Sequence, residues 1–144
     1  MPPGRSEKCY EITWLIRRLY RAMGSYADQY LADSGLSAAD RAVMEFLYPA
    51  QKLSVPQIAR RYDVSRQHVQ VTVNALVNRG LLRSGANPEH KRSPLVRLSS
   101  LGRDCFEEIR RNESALIDDL FRAISEGDLD VTRSTLNSMY EKLK

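Results

Sequence analysis

Two histidines, two cysteines and a scatter of serines are the residues of this 144-residue chain best suited to acid–base or nucleophilic chemistry, and their spacing assembles no reactive group. His68 and His90 have no Cys, Asp or Glu at metal-ligand spacing. Cys9 and Cys105 lie too far apart in sequence to suggest a zinc site or a disulfide framework, and neither is expected to act as a redox switch. The serines form no Gly-x-Ser-x-Gly elbow and no Ser-x-x-Lys signature, and there is no glycine-rich phosphate loop. The expectation is a protein with no catalytic site, no metal and no cofactor, and therefore not an enzyme.

Hydrogen-bonding side chains are better placed. In the stretch Ser54 to Gly80, SVPQIARRYDVSRQHVQVTVNALVNRG, a helical period puts Val69, Thr72, Val73 and Leu76 on one side and Gln67, Gln70, Val71, Asn74 and Asn78 on the other. Gln and Asn carry both a donor and an acceptor, as reading base edges in a major groove requires, and Arg can fork onto guanine. A merely solvated face carries Glu and Lys more often. The stretch reads as a helix, a tight turn and a second helix built to lie on DNA, with Ser65, Arg66, Gln67, Gln70 and Asn74 as base or near-base contacts. Arg61 and His68, and beyond this stretch Lys91, Arg92 and Arg97, are expected mainly at phosphates or in the minor groove.

The charge distribution agrees. Residues 53–98 hold eight Arg or Lys against the two acids Asp63 and Glu89, a net +6, which leaves −2 for the rest of a chain whose total is +4. A basic middle between mildly acidic ends points to a polyanionic partner. The N-terminal MPPGRSEK has no apolar run to serve as a signal peptide and no later stretch is long enough to span a membrane, so a cytoplasmic protein with no membrane contact is expected.

The elements that position these residues read mainly as helices. From about Glu7 to Leu31 the apolar positions Ile12, Leu15, Ile16, Leu19, Met23, Tyr26, Ala27 and Tyr30 make a long amphipathic stripe. Gly35 ends it, and Ser37 caps a second helix with Asp40 at its third position, which Pro49 interrupts. Ser54 and Gln57 form a capping box for the third helix, Tyr62-Asp63-Val64 turns, Ser65 caps the fourth, and Gly80 supplies its left-handed stop. LLRSGANPEHKRSPLVRLS then reads as a two-stranded hairpin with residues 89–93 at its tip, where His90, Lys91 and Arg92 make a compact positive point able to reach a minor groove. Ser99 caps a long helix through about Ser125, broken by Gly127-Asp128, and a last helix runs from Leu129 through Leu143.

Aromatic residues gather toward the N-terminal half. The first reading is that they fill a junction between long helices; the functional alternative is a pocket for an aromatic or largely apolar ligand, with Trp14, Tyr20, Tyr26 and Phe46 as candidate contacts. The terminal stripes are longer than the 46 residues of the basic middle, 53–98, can cover, which predicts dimerisation through residues 7–31 and 104–143.

In SVPQIARRYDVSRQHV, LVNRGLL, NPEHKRSPLVRLS and the helix-opening SSLG, the chain resembles the MarR family of winged helix-turn-helix transcriptional regulators. The resemblance runs over nearly the whole chain. It implies one domain, residues 1–144, mainly α with a small β-hairpin wing: dimerisation helices at 7–35 and 100–144, and a DNA-binding lobe at 36–99. It also implies a homodimer whose terminal helices interlock and whose lobes straddle a pseudo-palindromic operator. The fourth helix would enter the major groove and Arg92 the minor groove. A repressor with a small-molecule effector is the expected function. Where the family often has Asp-Arg at the wing this chain has His90-Lys91, and where it often has Arg this chain has Val71, which suits a thymine methyl. Thr13, rather than Cys9, falls at the position that a peroxide-sensing branch uses for its reactive cysteine. Two rivals from other classes are a winged-helix module that docks a protein through the same polar face and a small-molecule-binding protein without DNA activity.

Overall fold

Short side-chain bonds to backbone N–H groups determine where most of the helices begin. The computed structural model describes all 144 residues, as α1 (Arg5–Ala32), α2 (Ala38–Leu47), β1 (Leu53–Ser54), α3 (Val55–Tyr62), α4 (Arg66–Asn78), β2 (Leu82–Gly85), β3 (Leu95–Leu98), α5 (Ser100–Phe121) and α6 (Glu126–Leu143). The Asp40 N–H donates to Ser37 Oγ at 3.1 Å while the Ser37 N–H donates to the Asp40 carboxylate at 2.9 Å, a reciprocal box that satisfies two otherwise unpaired donors. Ser54 and Gln57 repeat the arrangement at α3, where Pro56 sits in the first turn and removes a donor that had no partner there. Helix α2 stops where Tyr48, just before Pro49, is forced into an extended conformation.

Residues Met1–Ile109 form one compact unit and Arg110–Lys144 a second, so the boundary falls within α5. The first unit has the core. Val43, Met44 and Leu47 of α2, Ile58 of α3, Val69, Val73 and Leu76 of α4, and Leu82 and Val96 of the sheet are buried together. Fully burying one such side chain contributes about 1.5–3 kcal/mol. Leu31 at the end of α1 and Phe106 and Ile109 of α5 complete it. Of the rest of α1, Ala27 and Tyr30 pack against this core partly buried, and Leu31 is the helix's one buried residue.

The sheet has three antiparallel strands in the order β1-β3-β2. The sequence-based hairpin, β2 with β3, is present, with Leu82 opposite Leu98 and Ser84 opposite Val96. It gains β1, whose Leu53 pairs with Val96 and whose Ser54 pairs with Leu95. Ser54 is therefore a rung of the sheet and the cap of α3 at once.

Behind the sheet, Ser99 is buried and ties three segments together. Its Oγ donates to the Gly80 carbonyl at 2.5 Å and accepts from the Gly102 N–H at 3.0 Å, while its own N–H donates to the Leu81 carbonyl at 3.0 Å. Gly80 takes the left-handed conformation that the sequence assigned to it, with φ at 75°. The backbone of Leu81 lies so close to α5 that a Cβ at Gly102 would stand 1.9 Å from the Leu81 carbonyl oxygen.

In the second unit one expectation is corrected. Helix α5 ends at Phe121 rather than near Ser125, and Gly127 breaks nothing: it lies in the first turn of α6. The break belongs to residues 122–125, because the Ser125 side chain accepts from the Asp128 N–H at 3.2 Å and starts the new helix there. A serine–acid cap outweighed the helix-breaking tendency of a glycine that sits where first-turn N–H groups have no internal partners. No residue of this unit is buried. No helix of the chain is long and apolar enough to cross a membrane.

Candidate nucleic-acid interface

The turn between α3 and α4 is held from both sides. Asp63 adopts the left-handed conformation (φ 57°, ψ 45°), which a short polar side chain tolerates better than most, and the N–H groups of Asp63 and Val64 both donate back to the Ala59 carbonyl. Ser65 then caps α4 by accepting from the His68 N–H at 3.1 Å. Four residues of α4 face inward and are buried, namely Val69, Thr72, Val73 and Leu76, which is the face read from the sequence. Thr72 is satisfied there by donating to the His68 carbonyl at 3.1 Å.

On the outward side, Ser65, Arg66, Gln67, His68, Gln70, Val71 and Asn74 are all exposed. Val71 is 64% accessible, large for an apolar side chain in a helix and consistent with a surface waiting for an apolar partner atom. Gln70 Nε2 donates to Asn74 Oδ1 at 2.8 Å, so two of the readers suggested by the sequence are joined one turn apart.

The wing presents its tip through a braced loop. Asn87 Nδ2 donates to the Ser93 carbonyl at 2.8 Å across the base of the loop, and Asn87 Oδ1 accepts from the Glu89 N–H at 3.1 Å. His90, Lys91 and Arg92 are exposed beyond that brace. Helix and wing meet around two adjoining hollows. One, about 240 Å³, is lined by Arg66, Gln67, Gln70 and Arg92 with Val55 and Pro94; the other, about 390 Å³, includes Gln70, Asn74, Ser84 and Val96. The fold thus brings the amide face and the wing arginine to one concave surface.

Several arginines outside this surface pair with acids one helical turn away, as in Arg41–Glu45, Arg103–Glu107, Arg122–Asp119 and Arg133–Asp130. Arg61, Arg66, Lys91, Arg92 and Arg97 have no such acid. Arg97 is set apart from the others: it faces Arg83 across the β2–β3 ladder, on the side of the sheet opposite Val96 and therefore away from α4. Two like charges directly opposite destabilise a ladder unless an anion joins them. Sequence reasoning passed over Arg83 because only the strand register shows that it doubles Arg97. It also passed over Arg60, which lines a third hollow of about 390 Å³ with Arg66, Asn87 and His90.

Arg79, at the end of α4, does different work. Its guanidinium donates to the carbonyls of Gly35 at 2.9 Å and Ser34 at 3.2 Å, clamping the end of α4 to the α1–α2 connection. Nearby Cys105 is half-buried; burial pushes its thiol above the ordinary range, against the pull of the Arg79 charge and with a further push from Glu108. Cys9 is exposed on α1.

The four aromatic candidates do not share a ring cluster. Trp14 and Tyr20 are 59% and 82% exposed on α1, Tyr26 stacks at a tilt on Tyr30 with ring centres 5.8 Å apart, and Phe46 meets Tyr62 at 5.8 Å. Trp14 lines a shallow surface hollow with Tyr10, Glu11, Thr13 and Arg17.

A capped helix-turn-helix followed by a basic two-stranded wing has a clear counterpart among known proteins: the family model described as the MarR family matches residues 34–93. Over those residues the chain is similar to the MarR family. It is 39% identical over 92 residues to uncharacterized protein Rv2011c of Mycobacterium tuberculosis, a match that covers 64% of this chain and spans 64% of that relative's length. The structure of MarR family transcription regulator SP03579 superposes with a TM-score of 0.89 at 21% identity, covering 96% of this chain and 91% of that one. That of a MepR–DNA complex from S. aureus superposes with a TM-score of 0.83 at 19% identity, covering 92% and 98%. At those identities the structures speak for the MarR winged-helix fold.

Proposed function

We propose that this protein is a MarR-family, sequence-specific double-stranded DNA-binding transcriptional regulator that acts as a homodimeric repressor in the cytoplasm, without enzymatic activity. The observation that carries the reading is the surface formed by α4 and the wing. Amide side chains that can read base edges line the same hollow as Arg66 and Arg92, and the arginines there have no acid to neutralise them. Unpaired cations gain most from displacing counterions on a phosphate backbone. The likeness in fold to the S. aureus MepR–DNA complex supports DNA as the partner, docked on this surface as follows. Arg66, Gln67, Gln70 and Val71 meet base edges in the major groove, with Asn74 beside Gln70 on the same face. Ser65, Arg61 and His68 flank them at the backbone, and Lys91 and Arg92 follow the minor groove. Arg97, on the outer face of the wing with Arg83, is assigned to phosphate alone. A small aromatic or largely apolar effector releases the DNA, with the exposed rings of Trp14, Tyr20 and Tyr26, and Phe46, as candidate contacts.

Binding isotherms on an operator and a scrambled duplex at several salt concentrations test this reading, the operator being taken from a footprint upstream of the protein's own gene. The affinity is expected to fall steeply with salt. Arg92→Ala is expected to weaken binding to both duplexes and to reduce the salt slope by about one unit per contact, or about two per dimer. Binding of a protein partner through the same face, with duplex affinity indifferent to salt, would overturn it.

A further inference from the structure

The bond from Gln70 Nε2 to Asn74 Oδ1, 2.8 Å long, lies on the exposed face of α4, where neither amide needs a protein partner to be satisfied. Its effect is to fix orientation. A free glutamine amide can rotate about its last bond and present its carbonyl or its NH₂ to either side. With one N–H held by Asn74 Oδ1, the carbonyl of Gln70 can take that place only if Asn74 turns as well, and as the pair stands the Gln70 amide is left with one N–H and one carbonyl oxygen to offer.

That remaining pair, one donor beside one acceptor, complements adenine, whose major-groove edge shows N7 as acceptor and the N6 amine as donor. It does not complement guanine, whose N7 and O6 are both acceptors and require two donors. Asn74 contributes the acceptor that holds this orientation, and its Oδ1 is occupied in doing so. The hollow beneath the two residues is lined by Val55, Val73, Val77 and Val96 together with Asn78 and Ser84, and the side-chain bond that Gln70 and Asn74 make is to each other.

The geometry points to Gln70 as an adenine-reading, specificity-determining residue and to Asn74 as a positioning residue that acts through it. This rests on the DNA-reading function proposed above and specifies which base pair that face selects.

Selection of bound duplexes from a random pool, with the full-length protein and its variants, tests it. The parent protein is expected to enrich an A·T pair at one fixed place in each half-site. Gln70→Ala should erase the preference there. Asn74→Ala should lower the ratio of adenine to guanine at that same place by about tenfold and leave the other positions unchanged. Asn74→Asp keeps the acceptor, so the ratio should survive while its added charge weakens binding to every sequence alike. Thermal melts should place all three variants within a few degrees of the parent, since both side chains are exposed. The inference is overturned if Asn74→Ala keeps the adenine preference, or if it erases a preference at a different base pair, which would make Asn74 a reader in its own right. A parent protein that binds duplex with a normal salt slope but enriches guanine at the Gln70 position overturns the inference alone. One that neither binds nor enriches any duplex overturns the DNA-reading function together with it.

Discussion

At Gly102 a single hydrogen atom decides whether the lobe closes. The nearest atoms to a Cβ there are the carbonyl oxygen and carbon of Leu81, at 1.9 Å and 2.8 Å, and a backbone carbonyl in a turn cannot swing aside as a side-chain tip can. Gly102→Ala is therefore expected to destabilise the protein by about 3 kcal/mol, the upper end of ordinary overpacking, and a thermal melt checks it. Gly127→Ala is the matched control: nothing lies within 4 Å of a Cβ there, and alanine is the better helix former by up to about 1 kcal/mol. The sequence contained the motif SSLG but not its reason, since the partner of Gly102 is the backbone of Leu81, 21 residues earlier in the chain. By contrast the inward face of α4 was fully legible, because Val69, Thr72, Val73 and Leu76 recur at the period of a helix. The joining of Gln70 to Asn74 was legible only as a spacing of four; the direction of the bond belongs to the structure.

Among the elements, those whose boundaries are written in local chemistry were the most readable. Ser37, Ser54 and Ser65 each cap the helix that the sequence assigns to them, and the first two do so with their predicted third-position partners. Strand β1 was not readable, because two residues are too few to show an alternating pattern and their only strand-like property is pairing with β3. The α5–α6 break was misplaced for a related reason: glycine was weighed as a breaker, whereas Ser125 and Asp128 supplied a cap three residues apart. The wing loop offers a test at this scale. Asn87→Ala removes both bonds that close the loop, each worth about 1 kcal/mol. Hydrogen exchange of residues 89–93 should accelerate while the melting temperature barely moves. On the reading proposed here, duplex binding should also weaken for operator and scrambled sequence alike.

For the molecule as a whole, the balance of apolar surface is the informative quantity. Residues 110–144 form a compact unit that buries nothing, yet Ile117, Leu120, Phe121, Ile124, Leu136 and Tyr140 are exposed in it. Helix α1 likewise leaves Trp14, Leu15, Leu19 and Met23 at least half exposed. A monomer rarely leaves that much apolar surface in water. Sedimentation at micromolar concentration is therefore expected to give a dimer, and replacing Leu120 and Phe121 by Asp should yield a monomer; a parent protein that sediments as a monomer would refute this. The exposed stripes were legible in the sequence from their helical period, whereas the surfaces that cover them depend on contacts that no periodicity encodes.

Ser54, which serves both as a rung beside β3 and as the cap of α3, has a consequence of its own. Because the wing strand and the helix-turn-helix share that residue, neither can tilt without breaking a ladder bond or a cap. If the lobe reads DNA as proposed, it behaves as a ruler of fixed length: the step from the base pairs under α4 to the groove under Arg92 is built into one protomer. Operators could then differ in the gap between half-sites, but not in the length of a half-site.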